Sequence, residues 1–255
     1  MLVPTFVINL DRSKDRLAHM QGEFTRVGMP FVRLPAVEGA NLPDAAKPYF
    51  CDASGQIESV LLPAEIGCYA SHIVAWQEVA DGTCGDHALV CEDDIVLPDR
   101  LPALLQRILR TAPAGWDLIR LCNESTHPTT RVTSLDERHD LVRYWVVPML
   151  AGAYLVSRAG AVKLLRPRVR LHPIDWDLGR PWQFAADSYG VQPAPIRLLD
   201  APSIVDAMGG RAQNFERYPN LLRFSAHKLR RHVYNLRTMG FRAWLSCASA
   251  AMGQS

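Results

Sequence analysis

The sequence predicts an α/β protein: a mainly parallel sheet with helices on both faces. Short apolar runs rich in β-branched residues alternate with segments whose apolar residues recur every three or four positions. The chain has 255 residues, 48% hydrophobic and 21% charged, enough for one compact domain with a small appendage. That composition excludes disorder, collagen and a coiled-coil rod, and neither an internal repeat nor a low-complexity tract is visible.

Thr5 to Leu10 reads as the first strand, and Leu17, Met20, Phe24 and Val27 mark the helix that follows it. A second strand spans Phe31 to Val37, between Pro30 and Gly39, and Ala40 to Leu61 has no clear period and reads as a long excursion loop. Pro63 suits the first turn of a helix that runs to about Ala80, with Ile66, Ala70 and Ile73 along its apolar stripe. His87 to Cys91 is a buried strand that ends at Glu92, Asp93 and Asp94, and Leu101, Leu104, Leu105 and Ile108 mark a helix beyond it. Trp116 to Leu121, Leu141 to Val147 and Ala153 to Val156 read as strands, Arg158 to Leu165 as a short helix, and the chain past Pro167 is broken by prolines.

The formal net charge of +2 gives no overall drive toward nucleic acid. Six scattered cysteines without short-range pairing imply reduced thiols, and no pair of closely spaced cysteines or histidines resembles a zinc site. The longest apolar stretch, Val146 to Val156, contains Pro148 and falls far below the roughly 20 residues a spanning helix needs. The opening MLVPTFVINLD does not read as a secretory signal, so a cytoplasmic location is expected.

In open α/β sheets ligands bind beyond the carboxyl ends of the strands. The first candidate there is LVCEDDIVLP, residues 89–98. Three adjacent carboxylates repel one another unless they are solvated or bridged by a hard divalent cation such as Mg²⁺ or Mn²⁺. Two readings stand: a cation site using Glu92 and Asp94, which an extended backbone sends to one side, or a solvated acidic turn that caps a helix. Neither a P-loop nor a dinucleotide fingerprint is present, so phosphates must be met by metal and by cations. Arg12, Lys14 and Arg16 follow the first strand, either facing a nucleotide or solvated on the helix surface. Glu65 and His72 share one helix face two turns apart; they look into a cleft or, for the histidine, form a satisfied structural contact.

VINLDRSKDR (7–16), AVEG (36–39), EIGCYASHIVAW (65–76), CEDD (91–94), GAYLVSRAGAVKLL (152–165), HPID (172–175) and PSIV (202–205) occur in the order seen in glycosyltransferase family 25, which includes bacterial lipooligosaccharide galactosyltransferases. The chain resembles that family from residue 7 to about 205. The resemblance implies a GT-A fold over residues 1–206, a UDP-sugar donor (commonly UDP-galactose), a glycan or lipooligosaccharide acceptor and inversion at the anomeric carbon. Carried over by position, Glu92, Asp93 and Asp94 look like the counterpart of the metal- and diphosphate-holding DxD motif, Glu92 and Asp94 as metal ligands and Asp93 beside the donor. Asn9, Arg12 and Arg16 resemble the signature near the nucleotide. Glu38 stands where an aspartate is more usual, and Cys91 where an aliphatic residue is. Gly152 opens a segment that resembles the one behind the donor sugar. Asp175 resembles the carboxylate that faces the acceptor, and is the expected general base, with Asp177 second.

Two other classes fit the residues: a metal-dependent hydrolase or nucleotidyltransferase, and a non-catalytic glycan-binding module. Residues 207–255 read as a basic helical extension, since after Asp206 and through Arg242 there are eight Arg or Lys and one acid, Glu216. Leu222, Ala226, Leu229, Val233 and Leu236 form a helical stripe there, beside Arg223, Arg230 and Arg237. That stripe either rests on an anionic membrane at the inner face of the cytoplasmic membrane or docks on the catalytic domain with its arginines in solvent.

Overall fold

The computed structural model describes residues 2–199 and 221–252, with side chains described for 2–199 and 226–251. The PSIV segment, the boundary expected at residue 206 and the side chains of Leu222 and Arg223 lie outside the described residues. Ten strands are numbered in chain order: β1 (Thr5–Asn9), β2 (Val32–Pro35), β3 (His87–Glu92), β4 (Ile95–Val96), β5 (Leu118–Arg120), β6 (Thr129–Ser134), β7 (Asp140–Tyr144), β8 (Ala153–Ser157), β9 (Ser188–Gln192) and β10 (Arg197–Leu198). The helices are α1 (Lys14–Arg26), α2 (Pro63–Ala80), α3 (Leu101–Thr111), α4 (Arg158–Leu164), α5 (Ile174–Leu178), α6 (Leu221–Met239) and α7 (Phe241–Met252).

Eight strands form one sheet in the order β2-β1-β3-β8-β5-β9-β7-β6. β1 pairs in parallel with β2 and β3, and β5 with β9, while β8 runs antiparallel to β3 and β5 and β7 antiparallel to β9 and β6. Propagating those directions leaves only β8 and β7 reversed, so the sheet is mixed but mostly of one direction. β4 and β10 make a separate antiparallel pair.

Side chains alternate across the strands and feed two cores. Phe6, Ile8, Ala88, Val90, Tyr154 and Val156 pack with α2, α4 and α5 on one face. Val7, Leu89, Cys91, Ala153 and Leu155 pack with Met20 and Phe24 of α1 and Leu101, Leu105 and Ile108 of α3 on the other. Cys91 is fully buried and fills an aliphatic-sized space, and its thiol pKa is pushed up by burial. All six cysteines are free thiols.

The excursion at 40–61 is less irregular than its lack of period suggests. A single 3₁₀ turn at Lys47–Tyr49 brings Tyr49 and Phe50 into the first core, and the Tyr49 hydroxyl donates to the Leu165 carbonyl at 2.7 Å. β9 lies in the proline-broken region and was not legible as a strand. Its Gly190 leaves space that the Tyr144 ring occupies; a Cβ there would lie 1.8 Å from the tyrosine oxygen. Packing across β7 therefore makes a central strand of a segment with weak local preference.

α6 docks through a different face from its apolar stripe. Asn235 donates to the Trp145 carbonyl at 2.9 Å, Tyr234 Oη donates to the Ala186 carbonyl and accepts from the Ser188 N–H, and Trp145 packs against Trp244 of α7. Leu229, Val233 and Leu236 stay 65%, 47% and 42% exposed, together with Phe241 and Leu245 of α7. Of the two readings left open for this segment, the helix does meet the domain, but through aromatic and amide groups, while Leu229, Val233 and Leu236 of the stripe stay in solvent. Among the described residues no helix is long and apolar enough to cross a membrane.

Candidate functional site

The register puts the carboxyl ends of β1, β2 and β3 at one level, since Ile8 pairs with Glu92 and Asn9 with Pro35. The polar residues after these strands therefore converge on one edge, where a cleft of about 570 Å³ opens between the strand ends, the start of α2 and α5. Arg12, Arg16, Glu38, Glu92, Asp93, Asp94 and Asp175 all line it.

One wall exists because two glycines let backbones meet. A Cβ on Gly67 of α2 would lie 2.5 Å from the Val37 carbonyl oxygen, and one on Gly39 only 1.8 Å from that of Pro63. Ser71 fixes the same junction, accepting from the Val37 N–H at 2.8 Å while donating to the Gly67 carbonyl. Glu38 is thereby carried to the cleft mouth, where it is ion-paired with Arg12 and both side chains are about half exposed. Glu65 also lines the cleft, and its carboxylate accepts from the Leu62 N–H at the start of α2.

The acidic turn forms the floor. Asp93 is buried and accepts from Asn9 Nδ2 at 2.6 Å and from Arg16 Nη1 at 2.9 Å. Asn9 is itself fixed by Arg33, which donates to its side-chain oxygen at 2.9 Å. Asp94 takes a second contact from Arg16 at 3.2 Å through Oδ2, while its Oδ1 is buried without a hydrogen-bond partner. Burial first, then repulsion from Glu92, pushes the Asp94 carboxyl up to about 6 despite Arg16. The backbone of this turn is clamped as well, because Leu199 donates to the Asp94 carbonyl at 2.7 Å beside the β4–β10 pair.

Glu92 turns toward α2. His72 Nε2 lies 3.3 Å from Glu92 Oε1, His72 Nδ1 2.8 Å from Tyr154 Oη, and Trp76 Nε1 donates to that same oxygen at 2.8 Å. Since Trp76 is a donor only, the Tyr154 hydroxyl proton points to His72 Nδ1, which leaves the imidazole proton on Nε2, donated to Glu92. His72 is fully buried yet meets the cleft at one edge.

The sequence profile of "Glycosyltransferase family 25 (LPS biosynthesis protein)" matches residues 2–175. The chain belongs to glycosyltransferase family 25. It is 31% identical over 193 residues to a rat protein named "Probable inactive glycosyltransferase 25 family member 3", covering 67% of this chain and 31% of the relative. It is 29% identical over 197 residues to a "Glycosyltransferase 25 family member" of Aedes aegypti, covering 67% of this chain and 29% of the relative. With "Procollagen galactosyltransferase 1-A" of Xenopus laevis the identity is 30% over 195 residues, again 67% of this chain and 29% of the relative. The chain thus spans about three tenths of the length of these relatives.

Within this family 25 chain, Asn9 and Gly152 stand behind the cleft. Asn9 positions Asp93 and Arg33, and the Gly152 carbonyl accepts from the Glu92 N–H at 2.9 Å, with Cys122 and Leu198 packed where a side chain would go. Asp177, the second candidate base, is fully buried and holds Tyr69 and Arg168 at 2.9 and 3.2 Å, contacts that tie it to the core beneath α2 and α5. Asp175 lines the cleft beside Trp176, whose ring stacks with His172 at 5.9 Å and has the Arg180 guanidinium 4.8 Å from its centroid.

Arg120 is a residue the sequence did not single out. It ends β5 fully buried, is hydrogen-bonded to the Leu150 carbonyl, leaves Nε and Nη1 without partners, and lies within electrostatic reach of Asp175. Burial lowers its pKa. Leu150 lines the cleft with φ at 103°, a strained value for a leucine. A charge at the end of an apolar strand was the available signal.

Proposed function

We propose that this chain is an inverting, metal-dependent glycosyltransferase that moves a hexose, galactose in the first instance, from a UDP-sugar to a glycan acceptor of the lipooligosaccharide type. The observation that carries the reading is that one cleft is lined both by an acidic turn with an unsatisfied buried oxygen on Asp94 and by a separate carboxylate, Asp175, from α5. The family description and the galactosyltransferase name of a relative support the donor and the acceptor class.

A hard divalent cation fits the floor by its chemistry: Asp94 offers a bare carboxylate oxygen, Glu92 a second oxygen donor, and repulsion between them raises the Asp94 pKa. Mn²⁺ or Mg²⁺ bound there supplies positive charge to a departing diphosphate. Arg16, held by Asp93, adds a fixed cation at the same floor, and Asn9 keeps that pair in place. Asp175 accepts the proton of the acceptor hydroxyl as the new bond to the anomeric carbon forms and the bond to the diphosphate oxygen breaks. The GT-A fold is part of this proposal, consistent with the mostly one-directional sheet and the acidic turn at a strand end.

For location we propose the inner face of the cytoplasmic membrane. Leu229, Val233, Leu236, Phe241 and Leu245 are exposed on α6 and α7, with Arg230, Arg237 and Arg242 exposed among them, a pattern suited to an anionic lipid surface. The deciding assay incubates the chain with a panel of UDP-sugars, with and without glycan acceptors, before and after chelation. Metal-dependent transfer to a glycan supports the proposal. Consumption of the nucleotide sugar regardless of acceptor favours a hydrolase, and binding without turnover favours a glycan-binding role, as the names of the inactive relatives allow.

A further inference from the structure

α2 and β3 bring together a second set of donors, different in chemistry from the acidic floor. Cys68 and His72 are four residues apart on α2 and so share one helix face, above Glu92 at the end of β3. Among the described residues this is the one group of three metal-competent side chains whose donor atoms all lie within 4.8 Å of one another, and Asp94 is outside it. All three line the cleft.

The spacings already approach those of a tetrahedral site. Bonds of about 2.0–2.1 Å to nitrogen and oxygen and about 2.3 Å to sulfur place a nitrogen–oxygen ligand pair about 3.3 Å apart and a sulfur–oxygen pair about 3.6 Å apart. His72 Nε2 and Glu92 Oε1 are 3.3 Å apart, and Cys68 Sγ and Glu92 Oε1 are 4.0 Å apart. The His72 ring is also fixed from behind, because its far nitrogen meets Tyr154 Oη at 2.8 Å. The donor set of one thiolate, one imidazole and one carboxylate selects Zn²⁺ or a similar borderline ion over Mg²⁺.

We propose that Cys68, His72 and Glu92 form a zinc-type site whose fourth position opens on the cleft. On binding, the Cys68 thiol loses its proton to solvent. The imidazole gives up its Nε2 proton to solvent and takes one at Nδ1, so that Nε2 bonds the metal; Tyr154 Oη then accepts from both His72 and Trp76, and its own proton turns off Nδ1. This site shares Glu92 with the hard-cation floor and is otherwise distinct from it. Its existence does not depend on glycosyl transfer.

The test uses the whole, metal-free chain and reads binding directly. Titration with Co²⁺ is expected to saturate at one equivalent, with the visible bands of a tetrahedral ion and a thiolate-to-cobalt charge-transfer band, both removed by stoichiometric Zn²⁺ and unmoved by excess Mg²⁺. Cys68→Ser is expected to lose the charge-transfer band and at least about tenfold in Zn²⁺ affinity, while Cys84→Ser keeps both. In the unaltered chain Zn²⁺ is expected to slow alkylation of Cys68 by iodoacetamide, read by peptide mass spectrometry, which gives a result even if the variants fold poorly. Absence of saturable binding in the unaltered chain, Zn²⁺ affinity indifferent to Cys68→Ser, or a Cys68 alkylation rate indifferent to Zn²⁺ overturns the proposal.

Discussion

Replacing Asp94 by asparagine separates stability from function. In the metal-free fold Asp94 is a poor place for a charge: burial and Glu92 lift its carboxyl from the ordinary 3.8 to about 6. At about 1.4 kcal/mol per pKa unit, ionised Asp94 costs the fold about 3 kcal/mol at neutral pH. Asparagine never carries that charge, and the pull of Arg16 at 3.2 Å is already contained in the value of about 6. The expected net is a gain of about 3 kcal/mol, or roughly 6–12 °C in Tm for a chain of this size. The folded pKa lies above the unfolded one, so the folded chain binds the extra proton between pH 3.8 and about 6, and stability falls as pH rises through that window. The gain of Asp94→Asn should therefore be absent near pH 4 and complete above about pH 7. Thermal unfolding of both proteins in chelator across that range measures it; titrating groups distant from Asp94 cancel in the difference. Transfer by the variant should be lost at every pH, and added Mn²⁺ should raise the Tm of the unaltered chain only. A variant less stable than the unaltered chain at pH 7, or a difference that does not change with pH, refutes this account of the acidic floor.

Asp175→Asn should bind UDP-sugar with unchanged affinity and transfer about 10²–10⁴-fold more slowly, measured by donor titration beside single-turnover rates; weakened donor binding with normal transfer at saturation would make Asp175 a binding group. Gly67→Ala should destabilise the chain by about 2–4 kcal/mol in urea unfolding, because the new methyl meets the Val37 carbonyl at 2.5 Å, backbone against backbone; a cost below about 1 kcal/mol would mean the 36–39 segment yields freely. Leu229→Glu with Leu236→Glu should abolish co-sedimentation with anionic vesicles at low salt while leaving the fold intact by circular dichroism, since both side chains are exposed; equal sedimentation of the two proteins removes the membrane assignment.

The alternation of apolar runs, acting over a few residues at a time, was enough to place β1, α1, α2, β3 and α3, and α2 begins and ends where Pro63 and the stripe put it. The acidic turn was legible too, and so were Arg12 and Arg16 after the first strand, because charged residues at a strand end are visible without knowing what lies across from them; Asp175 came only from the family resemblance. Contacts distant in sequence were not legible. β9 became a strand because the Tyr144 ring fills the space over Gly190, and α6 turned its apolar stripe outward because Asn235 and Tyr234 found backbone partners on the domain. Asp175 and Asp177 are two residues apart on one short helix, yet one faces the cleft and the other is buried against Tyr69 and Arg168. Cys68, His72 and Glu92 likewise meet only because α2 crosses the end of β3. Periodicity is a local consequence of burying one face, so the sequence alone determines it; which polar atoms converge depends on sheet order and helix placement, and those the tertiary structure decides.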